Sequence, residues 1–281
     1  MIANDTKHTG YMKKRSEPRA LKSSRSVGAL VLAGARATGD PLAIAHNVSS
    51  KAHIKVAGMP MITRVLNALS ESQYAGRVSV VGLQDQDRFQ TDELSPDIHH
   101  IAGADGPAAS VRGALAQSEQ APPILVTTCD HALLTPAMID AFLDKSLQSG
   151  ADLTVALAPQ AVIEDTYPDV QRTYLRFGDG AYSSCNLFCL NTEAAKEVVQ
   201  FWQSAEQDRK RPWRIAWRFG VVRALRILIG RPDLDRVFAI ISERLEVTIR
   251  PVILPFADAA VDIDKPDDLA LVERVLAERA K

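Results

Sequence analysis

The sequence has no excess of either charge, no long apolar run and very little cysteine, and each shortage excludes something. Across 281 residues, 33 Lys+Arg stand against 34 Asp+Glu, for a formal charge of −1. Such balance argues against a nucleic-acid binder that works by bulk charge. Apolar residues make up 46% of the chain, too many for a disordered polymer. No apolar run approaches the ~20 residues of a transmembrane helix. The first residues lack the apolar core of a secretory signal, which predicts a cytoplasmic protein. Cys129, Cys185 and Cys189 are too few, and odd in number, for a disulfide framework. No period of about 20–50 residues repeats, which argues against a solenoid. Nothing in the pattern sets an oligomeric state.

Residues 1–26 are rich in Lys and Arg, with Asp5 and Glu17 as the only acids. They have no periodic apolar pattern and read as a flexible basic tail, either solvated or touching an anionic surface. From Val27 the pattern becomes ordered, and residues 27–281 read as one domain. Val27–Leu32, Val78–Gly82, Ile98–Ile101, Ile124–Thr128 and Leu153–Leu157 are short apolar runs that suit strands of a buried parallel sheet. Between them, Met61–Leu69, Ala108–Ala116 and Pro136–Leu147 have helical spacing. The long stretch from Gly34 to Ser50 reads as a loop punctuated by glycine and proline. This alternation predicts an α/β protein: a Rossmann-like α/β/α sandwich with a mostly parallel central sheet. Ligands of such sheets bind at the carboxyl ends of the strands. The loop after Leu32 and the turn at Asp130 are therefore the first places for chemistry.

Four stretches carry that chemistry. In Leu32-Ala33-Gly34-Ala35-Arg36, small residues let backbone N–H groups approach a phosphate or a base, and Arg36 adds a planar fork of donors. Ser50-Lys51 through Gly58-Met59-Pro60-Met61-Ile62 supplies another cation and a tight turn into a helix. Asp130 then stands where a buried strand meets solvent, either as an oxygen ligand for Mg²⁺ or as the cap of the next helix. His131 beside it reads as a solvated loop residue. Near the end, Val261-Asp262-Ile263-Asp264 alternates, which sends both acids to one side of a strand. Two such carboxylates repel unless a cation sits between them. Pro266-Asp267-Asp268 suits the start of a helix, so these last acids read as structural.

Taken together, these stretches resemble the nucleotidyltransferase superfamily, the MobA-like NTP transferases and their sugar-phosphate nucleotidylyltransferase relatives. The family opening L-A-G-G-x-G-x-R is met by Leu32-Ala33-Gly34, with Ala35 in place of the second glycine and Arg36 earlier than the usual arginine. The following S-K…G-x-P-M-[IL] is met by Ser50-Lys51 and by Gly58, Pro60, Met61 and Ile62. The metal motif G-D-x-P is met by Asp130, with Cys129 and Ala132 substituted. The late D-[IV]-[DN]-T-P-E-D-L is met at 262–269, with Lys265 for Thr. The resemblance implies that Lys51 and Arg36 hold the triphosphate and that Leu32, Ala33, Gly34 and Ala35 border the nucleotide. It implies that Asp130 binds Mg²⁺ (or Mn²⁺) with Asp262 or Asp264; Asp262 is slightly preferred, and the sequence does not separate the two. Gly103-Ala104-Asp105-Gly106 before Ser110-Val111 matches a glycine-rich turn near the base. Ser110 reads as a base contact or simply as a first-turn residue.

Between about 165 and 250 lies an insertion on the acceptor side. Arg172–Phe177 and Tyr182–Phe188 read as a hairpin around Gly178-Asp179-Gly180. By resemblance Arg172 and Asn186 are acceptor contacts; by itself Asn186 also fits a turn. Cys185 and Cys189 lack further partners for zinc and read as packing residues. The Arg- and Trp-rich stretch 209–231 reads as an amphipathic helix. It packs on the domain, binds a phosphorylated acceptor, or lies peripherally on a membrane. The implied reaction moves a nucleoside monophosphate from an NTP to a phosphorylated small-molecule acceptor and releases pyrophosphate. Two other readings stand beside it. One is a glycosyltransferase of the GT-A fold using a nucleotide sugar, and the other is an inactive nucleotide-binding regulator.

Overall fold

The computed structural model describes residues 26–34, 39–83, 98–118, 120–170, 172–207 and 230–281. Residues 1–25 of the basic tail, Ala35, Arg36 and all but the last two residues of the 209–231 stretch lie outside the described residues. Strand β1 (Val27–Leu32) is followed by a short helix α1 (Pro41–Ala45), a 3-10 turn Lys51–His53, and a small ladder of β2 (Lys55–Val56) and β3 (Met59–Pro60). Then come α2 (Met61–Glu71), β4 (Ala75–Val81), β5 (Ile98–Ile101), α3 (Pro107–Gln117), β6 (Ile124–Thr128), α4 (Pro136–Gln148) and β7 (Leu153–Pro159). The later elements are α5 (Gln160–Thr166), β8 (Leu175–Arg176), β9 (Ala181–Leu190), α6 (Ala195–Gln207), α7 (Leu234–Leu245), β10 (Ile249–Ile253), a 3-10 turn Ala257–Ala260 and α8 (Pro266–Arg279).

The strands and helices expected before residue 158 are all present, with ends that differ by a few residues. One expectation changes: the stretch from Gly34 to Ser50 contains α1. Asp40 caps it, accepting from the N–H groups of Leu42 (2.9 Å) and Ala43 (3.2 Å), and Pro41 sits in its first turn. An Asx cap followed by proline starts a helix even in a stretch too short to show periodicity.

The sheet runs β10-β7-β9-β6-β1-β4-β5, with β8 on β9. The pairs β1/β4, β1/β6, β4/β5 and β10/β7 are parallel, and β9 runs antiparallel between β6 and β7. The chain leaves β1 toward β4 and β5, then returns to β6 on its other side. That reversal is the switch point at which open α/β sheets bind ligands. Leu32 pairs with both Val81 and Thr128, so three strands end level at the crevice.

Alternation along β1 divides the core. Ala29 and Val31 face α2 and α4, packing with Ile62, Val65, Leu66, Ile139 and Phe142. Leu30 faces the other way, with Val111 and Ala114 of α3 and Val199 of α6. A third cluster lies outside the sheet and joins Ile54, Met61, Leu133, Val261, Ile263 and Val272. Burying each such side chain contributes about 1.5–3 kcal/mol. This third cluster matters most for chemistry, because it draws together the segments bearing Lys51, Asp130 and Asp262–Asp264.

Candidate active site

Asp130 lies one residue beyond the turn-forming Cys129, past the end of β6. Cys129 N donates to the Leu32 carbonyl at 2.9 Å, tying this turn to the end of β1. Thr128 Oγ1 donates to Asp130 Oδ1 at 2.5 Å, and Ile263 N donates to the Asp130 carbonyl at 3.1 Å. Asp130 does not cap the following helix; Thr135 does, accepting from Met138 N. The side chain of Asp130 is thus available to the crevice.

Lys51 opens its 3-10 turn behind Ser50, whose hydroxyl accepts from Ala52 N. Ala52 and Ile54 are fully buried and pin the turn. Lys51 Nζ donates to Asp130 Oδ2 at 2.8 Å and to Asp264 Oδ1 at 2.5 Å. Burial alone would lower the Lys51 ammonium, but Asp130 and then Asp264 outweigh it and the pKa is raised. Lys51 is a fixed positive charge between two carboxylates, Asp130 and Asp264, that lie far apart in the sequence.

The segment 261–264 is extended but pairs with no strand, so the strand expected there is absent. The alternation nevertheless holds: Val261 and Ile263 are 1% and 0% exposed, and Asp262 and Asp264 stand off the third cluster. Arg172 Nη1 reaches Asp262 Oδ1 at 2.7 Å, and Asn186 Nδ2 donates to Asp262 Oδ2 at 3.3 Å. The Asp262 carboxyl is raised, first by burial and then by Asp130 and Asp264, while Arg172 works in the opposite direction. Asp268, read as structural, accepts from the N–H groups of Asp264 (3.1 Å) and Lys265 (3.0 Å) at the start of α8. It also lies 3.4 Å from Arg172 Nη2.

His131 corrects an expectation. It is not a solvated loop residue but 1% exposed, with Nε2 at 3.4 Å from the Asp258 carbonyl. Burial pushes its pKa down to about 4, so the ring is neutral. The reason is the apolar Ala132-Leu133 pair that follows, which drags the loop into the third cluster.

The opposite side of the crevice is made of glycine. Gly34, Gly82 and Gly103 follow β1, β4 and β5. A Cβ on Gly82 would lie 2.6 Å from Gly34 Cα, and one on Gly103 would lie 2.8 Å from Gly82 Cα. Gly82 also has φ +97°, a conformation that side chains rarely adopt. Ala33 is buried and donates its N–H to the Val81 carbonyl at 2.8 Å; Leu32 is half-buried. Ser110 stitches the adjoining turn: its hydroxyl accepts from Ala104 N (3.0 Å) and donates to the Ala104 carbonyl (3.2 Å). Gly82 and Thr128 were not among the expected site residues. The signal for Gly82 was a glycine directly after a buried strand.

The structure therefore brings Lys51, Asp130, Asp262, Asp264, Arg172 and Asn186 together on one side, and Gly34, Gly103 and Ser110 together on the other. Among the described residues, no three His, Cys, Asp or Glu side chains form a metal cage by themselves. Mg²⁺ needs no such cage, because phosphate oxygens and water complete a shell begun by one or two carboxylates. The hard oxygens of Asp130 with those of Asp262 or Asp264 are the donor type that ion takes.

A mostly parallel, doubly covered sheet with a lysine, clustered carboxylates and a glycine floor at its switch point defines an enzyme of the nucleotidyltransferase type. The model of the MobA-like NTP transferase domain matches residues 29–210, and the chain belongs to that family. A hypothetical transferase from Thermus thermophilus is 28% identical with a TM-score of 0.73, covering 87% of this chain and 99% of its own. The 4-diphosphocytidyl-2C-methyl-D-erythritol synthase of Anaerococcus prevotii is 10% identical, TM-score 0.57, covering 90% and 99%. A CMP:2-keto-3-deoxy-manno-octonic acid synthetase complexed with CTP is 12% identical, TM-score 0.54, covering 91% and 100%. The last two share the fold. No curated protein sequence matches the chain. Family membership favours nucleotidyl transfer over the glycosyltransferase and regulator readings. Among the described residues, no helix is long and apolar enough to cross a membrane.

Proposed function

We propose that the protein transfers a nucleoside monophosphate from an NTP to a phosphorylated small-molecule acceptor, with Mg²⁺ or Mn²⁺, and releases pyrophosphate. The observation that carries this reading is the Lys51 ammonium set between Asp130 and Asp264 at the switch point. Residues 27–281 act as one nucleotidyltransferase domain, with residues of the 165–250 insertion on the acceptor side and 1–26 as a basic tail.

The chemistry is chiefly positioning and charge neutralisation. Asp130 with Asp262 or Asp264 would hold the divalent ion, which would supply positive charge to neutralise the phosphates. Lys51, with Arg36, binds the triphosphate and stabilises charge on the leaving pyrophosphate. Gly34, Gly82 and Gly103 let the nucleotide lie close against backbone, bordered by Leu32, Ala33 and Ala35. The acceptor phosphate is already a nucleophile, so no side chain has to remove a proton. The Asp262 side of the crevice faces the acceptor. A screen of phosphorylated acceptors against the four NTPs, read as pyrophosphate release, tests this. Activity is expected with one pair and is expected to fall at least a hundredfold in Asp130→Asn while the protein stays folded. A fully active Asp130→Asn variant would remove Asp130 from the reaction.

A further inference from the structure

Arg172 and Asn186 were expected to touch the acceptor, yet Arg172 Nη1 and Asn186 Nδ2 both contact another protein side chain, Asp262. Arg172 lies between α5 and β8, and Asn186 lies on β9, 90 and 76 residues from Asp262 in sequence. Each nonetheless meets one oxygen of the Asp262 carboxylate, at 2.7 and 3.3 Å. The arginine also reaches Asp268, so its planar fork spans two carboxylates and has a fixed orientation. Its Nε and Nη2 are buried with no hydrogen-bond partner, and Nη1 alone donates to a carboxylate, that of Asp262.

Asn186 is held for this purpose by unusual backbone. Its φ is +50°, and it sits where the β7/β9 register shifts between Val155 and Leu157. Such irregularities re-aim a side chain, and asparagine tolerates the left-handed region better than most residues. The carboxylate so held retains lone pairs on both oxygens. It stands near Asp130 and Asp264, which Lys51 joins.

We infer that Arg172 and Asn186 are positioning residues for the divalent ion: acting through Asp262, they fix and aim its carboxylate beside Asp130 and Asp264. This rests on the metal-dependent reading above. It makes Asp262 the aimed ligand and Asp264 the carboxylate that shares Lys51. Removing either clamp residue should weaken metal binding even when no acceptor is present, which an acceptor contact would not do.

The experiment is Mn²⁺ binding by the full chain in the presence of inorganic triphosphate, read by water-proton relaxation. It compares wild type with Asp130→Asn, Arg172→Gln, Arg172→Lys and Asn186→Gly. Glycine at 186 keeps the left-handed backbone and removes only the amide, so this variant folds even if Arg172→Gln does not. The expected result is a loss in Asp130→Asn, at least tenfold weaker Mn²⁺ binding in Arg172→Gln and Asn186→Gly, and partial recovery in Arg172→Lys. If Asp130→Asn loses Mn²⁺ while Asn186→Gly and folded Arg172→Gln bind like wild type, the clamp is wrong and the metal site stands. If wild type and Asp130→Asn do not differ, the metal site at Asp130 is wrong and the clamp falls with it.

Discussion

The half of the crevice over β1, β4 and β5 is built from missing side chains, whereas the half over β6 and β9 is built from charged ones. In the first, Gly34, Gly82 and Gly103 come so close that one added carbon on Gly82 would lie 2.6 Å from its neighbour. In the second, Lys51 and Arg172 are each shared between two carboxylates. The first half has no room for a Cβ at Gly82 or Gly103, and the second is held by paired charges. Both halves hang on the same three level strand ends, so a single sheet positions a flat backbone surface opposite a charged cluster.

This contrast can be broken most severely at Lys51. Lys51→Ala removes the cation between Asp130 and Asp264, and kcat/KM for pyrophosphate release should fall by a factor of roughly 10²–10³, about 3–4 kcal/mol of transition-state stabilisation. A variant with more than a third of wild-type activity would mean the charged half works without its central charge. The glycine half should fail differently. Gly82→Val forces a β-branched residue to φ +97° against the Gly34 backbone, and should cost about 2–3 kcal/mol of stability. The urea midpoint measures this; an unchanged midpoint would show that the three glycines are not in close contact.

The smallest effect concerns what lies beneath the charged half. Cys185 and Cys189 are buried in the core, and burial pushes both thiols up to about 12. Native protein should therefore leave both unreactive to iodoacetamide at pH 8, and both should react once urea unfolds the chain. Because the folded pKa lies above the unfolded one, the unfolded chain loses these protons first as pH rises. Stability is thus expected to fall with pH from about 9 upward. Rapid native alkylation of either thiol would place it outside the core.

The charged half was largely legible in the sequence, because Lys51, Asp130 and Asp262–Asp264 each sit in a recognisable local pattern. Alternation at 261–264 foresaw which residues face inward, although no strand forms there. The glycine half was only partly legible. Gly34 and Gly103 stood out, but Gly82 becomes meaningful only when β4 is placed between β1 and β5. His131 was misread because its burial follows from Leu133 packing on α8 residues far away in sequence. The pairing of Arg172 and Asn186 with Asp262 likewise depends on contacts across 90 and 76 residues that no local spacing reveals. α1 escaped because one helical turn has no period to read.

The most direct test of the central claim is a thermal-shift titration of wild type and Asp130→Asn with ATP, GTP, CTP and UTP, each with and without Mg²⁺. A triphosphate at about a hundred times its Kd should add about 2.7 kcal/mol, a rise of roughly 5–10 °C for a chain of this size. The account predicts such a rise for one triphosphate in wild type, dependent on Mg²⁺ and lost in Asp130→Asn. A rise that is the same without Mg²⁺ and in Asp130→Asn, or no rise with any triphosphate, would contradict it.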